Sequence, residues 1–119
     1  MRIVLQVYLT LPQKCCNGNF QGANLTYANL EGANLANAEL SNSCLTGAIL
    51  RGANLQGAIL EKADFENANL AGVNFKGAHL EGANFQGIKA EYISWDTIQL
   101  CNTILPHGSI SDRGCIEPI

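Results

Sequence analysis

A large apolar residue returns at every fifth position from Phe20 to Phe85 without a slip. A period of five matches neither the roughly 3.6-residue repeat of a helix nor the alternation of a strand. The chain is therefore expected to fold as a repetitive solenoid. The residues at this position, which we call the central residues, are Phe20, Leu25, Leu30, Leu35, Leu40, Leu45, Leu50, Leu55, Leu60, Phe65, Leu70, Phe75, Leu80 and Phe85.

The positions on either side of the central residue are also restricted. Two residues before it stands Ala, except at Gly18, Ser43 and Val73. Two residues after it stands Gly or Asn, except at Tyr27 and Lys62. Gly and Asn tolerate the positive φ that the third residue of a type II β-turn requires. Each unit therefore predicts one corner, and four corners close a square coil of twenty residues with the central and small side chains inside.

Residues twenty apart should then stack at about 4.8 Å. One interior column is predicted to contain Phe20, Leu40, Leu60 and Leu80, and another to contain Leu35, Leu55, Phe75 and Trp95. On the outside, Asn34, Asn54 and Asn74 should form a ladder able to share side-chain amide hydrogen bonds between coils.

The spacing continues after Gly87, but the residue types change. Bulky Ile replaces Ala at the inward positions, and the corners cannot all be type II turns. The inward pairs are Ile88 with Ala90, Ile93 with Trp95, Ile98 with Leu100, and Thr103 with Leu105; the corner residues are Tyr92, Thr97, Asn102 and His107. We expect an N-terminal cap at 1–17, a regular solenoid at 18–87, a degenerate final coil at 88–105 and a capping tail at 106–119, making about four and a half coils.

The quintets Ala53-Asn54-Leu55-Gln56-Gly57 and Ala63-Asp64-Phe65-Glu66-Asn67 follow the pattern A(D/N)LXX. The chain thus resembles the pentapeptide repeat family over at least 18–87, and its closing segment resembles a tail found in many cyanobacterial members. The resemblance implies an all-β fold, a right-handed quadrilateral parallel β-helix. It would also place the chain in a family that is abundant in cyanobacteria, where most members have no known activity.

Composition and charge limit the possible partners. The seven Lys and Arg residues are scattered singly and the net charge is −3, which argues against a nucleic-acid partner. No apolar run is long enough to span a bilayer. The segment 1–11 fits a helix stopped by Pro12 or a strand, and makes a poor signal peptide. We therefore expect no membrane association, and a cytoplasmic location rather than the periplasm or thylakoid lumen.

The five cysteines are Cys15, Cys16, Cys44, Cys101 and Cys115. Their odd number excludes full pairing within a monomer, and no CxxC motif indicates zinc. Cys44 lies at an outward position, which predicts a free surface thiol. Cys101 and Cys115 flank the turn-rich tail, and both a disulfide there and two reduced thiols are compatible with the sequence.

His79 and His107 have no ligand-type residue at metal-binding spacing, so no metal, cofactor or catalytic site is predicted. Four outward acids in the lower half form a candidate interaction patch, with a solvated face as the alternative. These acids are Glu61, Asp64, Glu66 and Glu81.

The sequence predicts a non-enzymatic structural or protein-interaction module with an unknown protein partner, either monomeric or weakly dimeric end to end. The resemblance supplies the alternative, a DNA-mimicking inhibitor of type II topoisomerase like the quinolone-resistance members of the family. Those members are longer and strongly acidic, whereas this chain is short and only mildly acidic.

Overall fold

The computed structural model describes residues 18–93, 95, 98 and 100–111. Each five-residue unit turns the chain through one corner, closed by a hydrogen bond from the small residue of the next unit. In a typical corner the Ala58 N–H donates to Leu55 O (3.0 Å). The φ angle is positive at Gly52 and Gly57 (both 69°) and negative at the residues before them. Positive φ at the third turn position alone defines a type II turn, so the predicted corners are confirmed.

Four corners make one coil, and successive coils pair through their backbones. Around Leu55, for example, the Leu55 N–H donates to Asn74 O (2.8 Å), and the Asn54 N–H donates to Ala33 O (2.9 Å). Parallel bridges join residues twenty apart, from Asn19 with Glu39 to Asn84 with Ile104. The architecture is the predicted right-handed quadrilateral parallel β-helix.

The interior is one continuous apolar core of the predicted central and small residues. Leu55 and Leu60 are completely buried, and the Ala residues beside them are at most 1% exposed. The Phe65 and Phe85 rings, one coil apart, stack with centroids 5.0 Å apart, and Phe75 stacks on Trp95 at 6.3 Å. The column predicted through Phe75 and Trp95 is therefore present, and it continues the core into the degenerate coil.

The predicted Asn ladder stacks as expected, but the side-chain hydrogen bonds predicted between its coils are wrong. Asn34, Asn54 and Asn74 do stack through backbone bridges. Their side chains, however, bond within their own coil: Asn54 Oδ1 accepts from the Gln56 N–H (3.0 Å), and Asn74 Oδ1 accepts from the Lys76 N–H (3.0 Å). This local Asx turn satisfies an amide at each of these corners, and no hydrogen bond joins the three described Asn side chains from coil to coil.

At the end of the described chain, β1 (Thr103–Ile104) pairs with β2 (Ile110–Ser111) in an antiparallel hairpin. On its other side β1 bonds the preceding coil, where the Ile104 N–H donates to Ala83 O (2.8 Å). β2 therefore occupies the edge that a further coil would use. The turn between the strands has its positive φ at Gly108 (94°) and not at His107, so this corner departs from type II as expected.

Several predictions fall on residues outside the described part. These are the N-terminal cap, the tail beyond Ser111, and the corner at Thr97. The division of the chain into caps and coils thus stays a prediction at both ends.

Candidate interaction surface

The coil has four flat sides, which we number by their central residues. Face 1 carries Leu40 and Leu60, face 2 carries Leu45 and Phe65, face 3 carries Leu50 and Leu70, and face 4 carries Leu55 and Phe75. Because the central residues fill the interior, the chemistry that a partner could meet lies on the outward side chains of these faces.

The predicted acidic patch is only partly assembled. Glu61 and Glu81 are exposed on successive coils at one corner of face 1, with exposed Lys62 beside them. Asp64 and Glu66 lie half-buried on face 2. Asp64 Oδ1 accepts hydrogen bonds from the Glu66 N–H (3.0 Å) and from Asn84 Nδ2 (3.3 Å), so its carboxylate supports a corner. The Asp64 carboxylate is thus the one member of the patch with described hydrogen bonds, and the carboxylates of Glu61, Glu66 and Glu81 lie on two neighbouring faces.

Cys44 is a free thiol, as predicted, and it lies half-buried on face 2. Its Sγ is 3.1 Å from Thr26 Oγ1 and 3.5 Å from Thr46 Oγ1. Burial raises the pKa of the Cys44 thiol, but the side-chain hydrogen bonds with Thr26 and Thr46 and the backbone hydrogen bond with Thr46 outweigh burial and hold the pKa below its ordinary value. The arrangement favours the thiolate.

The remaining predicted positions lie apart from one another. His79 is exposed on face 1, and exposed His107 bonds Ser109 Oγ through Nε2 (2.7 Å). Cys101 is disulfide-bonded. Its predicted partner Cys115 lies outside the described residues, so the pairing stays a prediction. Among the described residues, no group of His, Cys, Asp and Glu side chains could hold a metal ion.

Face 3 carries a groove of about 590 Å³ that sequence reasoning missed. Its floor is Gly52, Ala71 and Gly72, and its sides are Arg51, Asn69, Lys89, Glu91 and Tyr92. The groove exists because one coil places Ala and Gly at the corner where the coils around it carry long side chains. We call this feature the face 3 groove.

The signal for this groove was in the sequence, but only at a spacing of twenty. In the corner column of face 3 the residues are Glu31, Arg51, Ala71 and Glu91, so Ala71 is the one short side chain. The side chain of Tyr92 is 91% exposed, which leaves its ring accessible beside the floor.

No membrane-crossing helix occurs in the described part of the chain.

A square, parallel, twenty-residue coil with an apolar interior defines a class of solenoid proteins. A family model for pentapeptide repeats, in eight copies, matches residues 19–52 and 48–87. This match covers more than half of the chain, which therefore belongs to the pentapeptide repeat family. No curated protein shows significant sequence similarity to it.

Solved structures agree on the class. The crystal structure of a pentapeptide repeat protein from the Arabidopsis thaliana thylakoid lumen is similar with a TM-score of 0.78 at 24% identity, covering 88% of this chain and 73% of that one. At this identity the likeness shows the fold alone.

Two other similar structures superpose poorly. HetL, involved in heterocyst differentiation regulation in Nostoc sp. strain PCC 7120, has 31% identity and a TM-score of 0.29, covering 78% of this chain and 42% of HetL. QnrB1, a plasmid-mediated fluoroquinolone resistance protein, has 12% identity and a TM-score of 0.40, covering 72% of this chain and 52% of QnrB1. These TM-scores carry no functional argument.

Proposed function

We propose that this chain is a non-enzymatic protein-interaction module that presents the face 3 groove to a partner protein. The observation that carries the proposal is the groove itself. It combines an exposed aromatic ring, two cations and a floor without side-chain bulk on a rigid stack of coils. Aromatic residues and Arg are the side chains that most often anchor protein interfaces.

The non-enzymatic part of the proposal is supported at family level, because pentapeptide repeat proteins are generally structural repeat proteins. The DNA-mimic alternative requires a continuous acidic surface. Here Lys62 stands beside the acids of face 1, and Arg51 and Lys89 flank the groove. The charge distribution thus favours the interaction module, and a DNA gyrase supercoiling assay with excess protein would test the alternative.

Two exposed tyrosines allow a matched test. Tyr92 borders the groove and Tyr27 lies on face 2, and both occupy the corner position with positive φ (65° and 59°). Each is replaced by the photocrosslinking amino acid p-benzoylphenylalanine in cells of the source organism. We expect a discrete crosslinked partner from position 92 that is absent from position 27.

The same experiment contains its own check on the groove. Ala71→Glu should abolish the crosslink by filling the floor, while the corner should tolerate it because Glu31 and Glu91 occupy the same column. Ala36→Glu, at the equivalent turn position on face 4, is the control. No discrete crosslink from position 92, or one that survives Ala71→Glu, would contradict the proposal.

A further inference from the structure

We propose that the occupant of the face 3 groove is an extended acidic peptide segment of the partner, whose carboxylates bind Arg51 and Lys89. This inference rests on the proposed function and specifies the partner's chemistry. It is carried by charge complementarity, by the shape of the floor and by the small number of charges that line the groove.

The two cations are available to a ligand. Arg51 and Lys89 are both exposed. Within the described part of the chain, neither side chain makes an ion pair or a hydrogen bond. Glu91, the one acid in the lining, leaves the groove with a net positive charge in a chain whose net charge is −3. The lining of the groove thus has the sign opposite to that of the molecule, with Glu31 lying outside the lining one coil before Arg51, and it favours a negatively charged partner.

The spacing of the cations suits an extended segment. Arg51 lies one coil before Ala71, and Lys89 lies one coil after Asn69, with which it forms a parallel bridge. The two cations are therefore separated by roughly 10 Å along the stack. Acids at alternate positions of an extended peptide are roughly 7 Å apart and project to the same side. The long Arg and Lys side chains can close the remaining distance.

The floor determines how a peptide would be recognised. The Gly52 N–H donates to Ala71 O (2.9 Å), and the Gly72 N–H donates to Glu91 O (2.9 Å). Because these amides are already bonded between coils, the floor offers no free strand edge for pairing. Asn69 uses Oδ1 to accept from the Ala71 N–H (3.2 Å), which leaves its Nδ2 to donate. Recognition must then come from side chains, with the Tyr92 ring packing on the peptide.

The number of charges distinguishes a peptide from a nucleic acid. Nucleic-acid sites usually neutralise several phosphates with a cluster of Lys and Arg. The face 3 groove has two cations and one acid. The carboxylate of Glu91 would also repel a continuous run of phosphates, whereas a peptide can place a neutral or basic residue opposite it.

The test uses a fluorescein-labelled octapeptide of alternating glutamate and alanine, titrated into the full chain. We expect anisotropy to report binding that weakens with salt, and amide NMR shifts to concentrate at Gly52, Ala71, Gly72 and Tyr92. Arg51→Gln with Lys89→Gln should weaken binding at least about tenfold, since charge-assisted hydrogen bonds are lost. Gln occurs at the turn position of Arg51 in other units, as at Gln21 and Gln56, so the fold should be kept.

Controls separate this inference from general charge effects. Lys76→Gln, at the same turn position as Arg51 but on face 4, should leave peptide binding unchanged. The double variant Arg51→Glu with Lys89→Glu should no longer bind the glutamate peptide. It should instead bind an octapeptide of alternating lysine and alanine. A duplex oligonucleotide that binds the groove more tightly than the glutamate peptide would overturn the assignment, as would NMR shifts spread evenly over the faces.

The two proposals fail in different ways. If position 92 crosslinks a partner and that crosslink survives Arg51→Gln with Lys89→Gln, the partner is not held through its acids, while the interaction module stands. If no peptide binding occurs and no crosslink forms, both are wrong.

Discussion

At the scale of single residues, two hydroxyl side chains show what the narrow interior tolerates. Ser43 and Thr103 both replace Ala at the inward position and are both buried. Thr103 Oγ1 donates to Leu80 O (2.7 Å), whereas Ser43 Oγ is buried without a hydrogen-bond partner. A buried hydroxyl without a partner costs free energy, so the two positions should respond oppositely to Ala.

We expect Ser43→Ala to raise the free energy of unfolding by about 1 kcal/mol, because the unpaired hydroxyl is removed and Ala fits this position elsewhere in the solenoid. Thr103→Ala is the comparison and should lower it, since a satisfied hydroxyl and a buried methyl group are lost. Equilibrium denaturation of both variants measures the effect. A Ser43→Ala protein less stable than the wild type would show that this account of the hydroxyl is wrong.

Cys44 should react as a thiolate at lower pH than an ordinary cysteine. The threonine hydrogen bonds hold the pKa of its thiol below the usual value despite burial. Because the folded-state pKa is the lower one, the stabilising contribution of the thiolate is present above the unfolded-state pKa and is lost as pH falls through the folded-state value. The rate of iodoacetamide alkylation at Cys44, followed by peptide mass spectrometry, should therefore rise with a midpoint at lower pH than that of an ordinary exposed cysteine in an unstructured peptide measured under the same conditions.

Thr26→Val provides the matched variant, because it removes the closer hydroxyl and keeps the side-chain shape. The midpoint for Cys44 should move to higher pH in this variant. An unchanged midpoint would mean that the hydroxyl does not stabilise the thiolate.

At the scale of one unit, the corner and the coil depend on each other. The turn fixes the direction of the chain, and bonds such as that from the Gly57 N–H to Lys76 O (2.8 Å) hold each corner to the next coil. The central residue packs in its own coil and against its column neighbours. A defect in one central residue is thus felt by three coils, as nearest-neighbour coupling in a solenoid requires.

Leu55 is the position at which to measure this coupling, since it is completely buried in the middle of the stack. We expect Leu55→Ala to lower the free energy of unfolding by about 2–5 kcal/mol, through lost burial and the cavity left behind. Gln56→Ala is the control, because its exposed turn position is occupied by Ala at Ala36 and Ala71. Denaturation midpoints that coincide for wild type and Leu55→Ala would refute the assigned register.

At the scale of the whole molecule, the stack has ends where backbone groups lack a neighbouring coil. β2 covers the edge of β1 at the end of the described chain, with Ile110 70% exposed on its outer side. An uncovered strand edge is a template for association with another chain. We therefore propose that residues 106–119 act as the cap that the sequence predicted.

Deleting residues 106–119 should lower the melting temperature and promote self-association, because the β1 edge and the terminal core around Trp95 and Leu100 lose their cover. Light scattering and thermal unfolding measure the two effects. Deleting only 112–119 keeps β2 and separates the contribution of the hairpin from that of the remaining tail. A 106–119 deletion that stays monomeric with an unchanged melting temperature would show that the tail is no cap.

The five-residue pattern is enough to specify the coil: its length, its inward residues, its type II corners and the interior column that contains Phe75 and Trp95. Packing and turn geometry repeat every five residues. Every unit therefore requires apolar side chains at its inward positions and a positive φ at its corner. Even corners that break the consensus, Tyr27 and Lys62 among them, take the positive φ that the coil imposes (59° at both).

The arrangement of the outer surface, in contrast, emerges only in three dimensions. Outward residues do not share the packing constraint, so their arrangement carries no five-residue signal. The face 3 groove depends on Arg51, Ala71 and Glu91, which become neighbours only when coils stack. The Asn side chains were assigned to the wrong partners because a local corner amide costs less chain entropy to reach than a neighbouring coil. The five-residue repeat determines the interior of this protein, whereas the stacking of one coil on the next determines which outward side chains become neighbours.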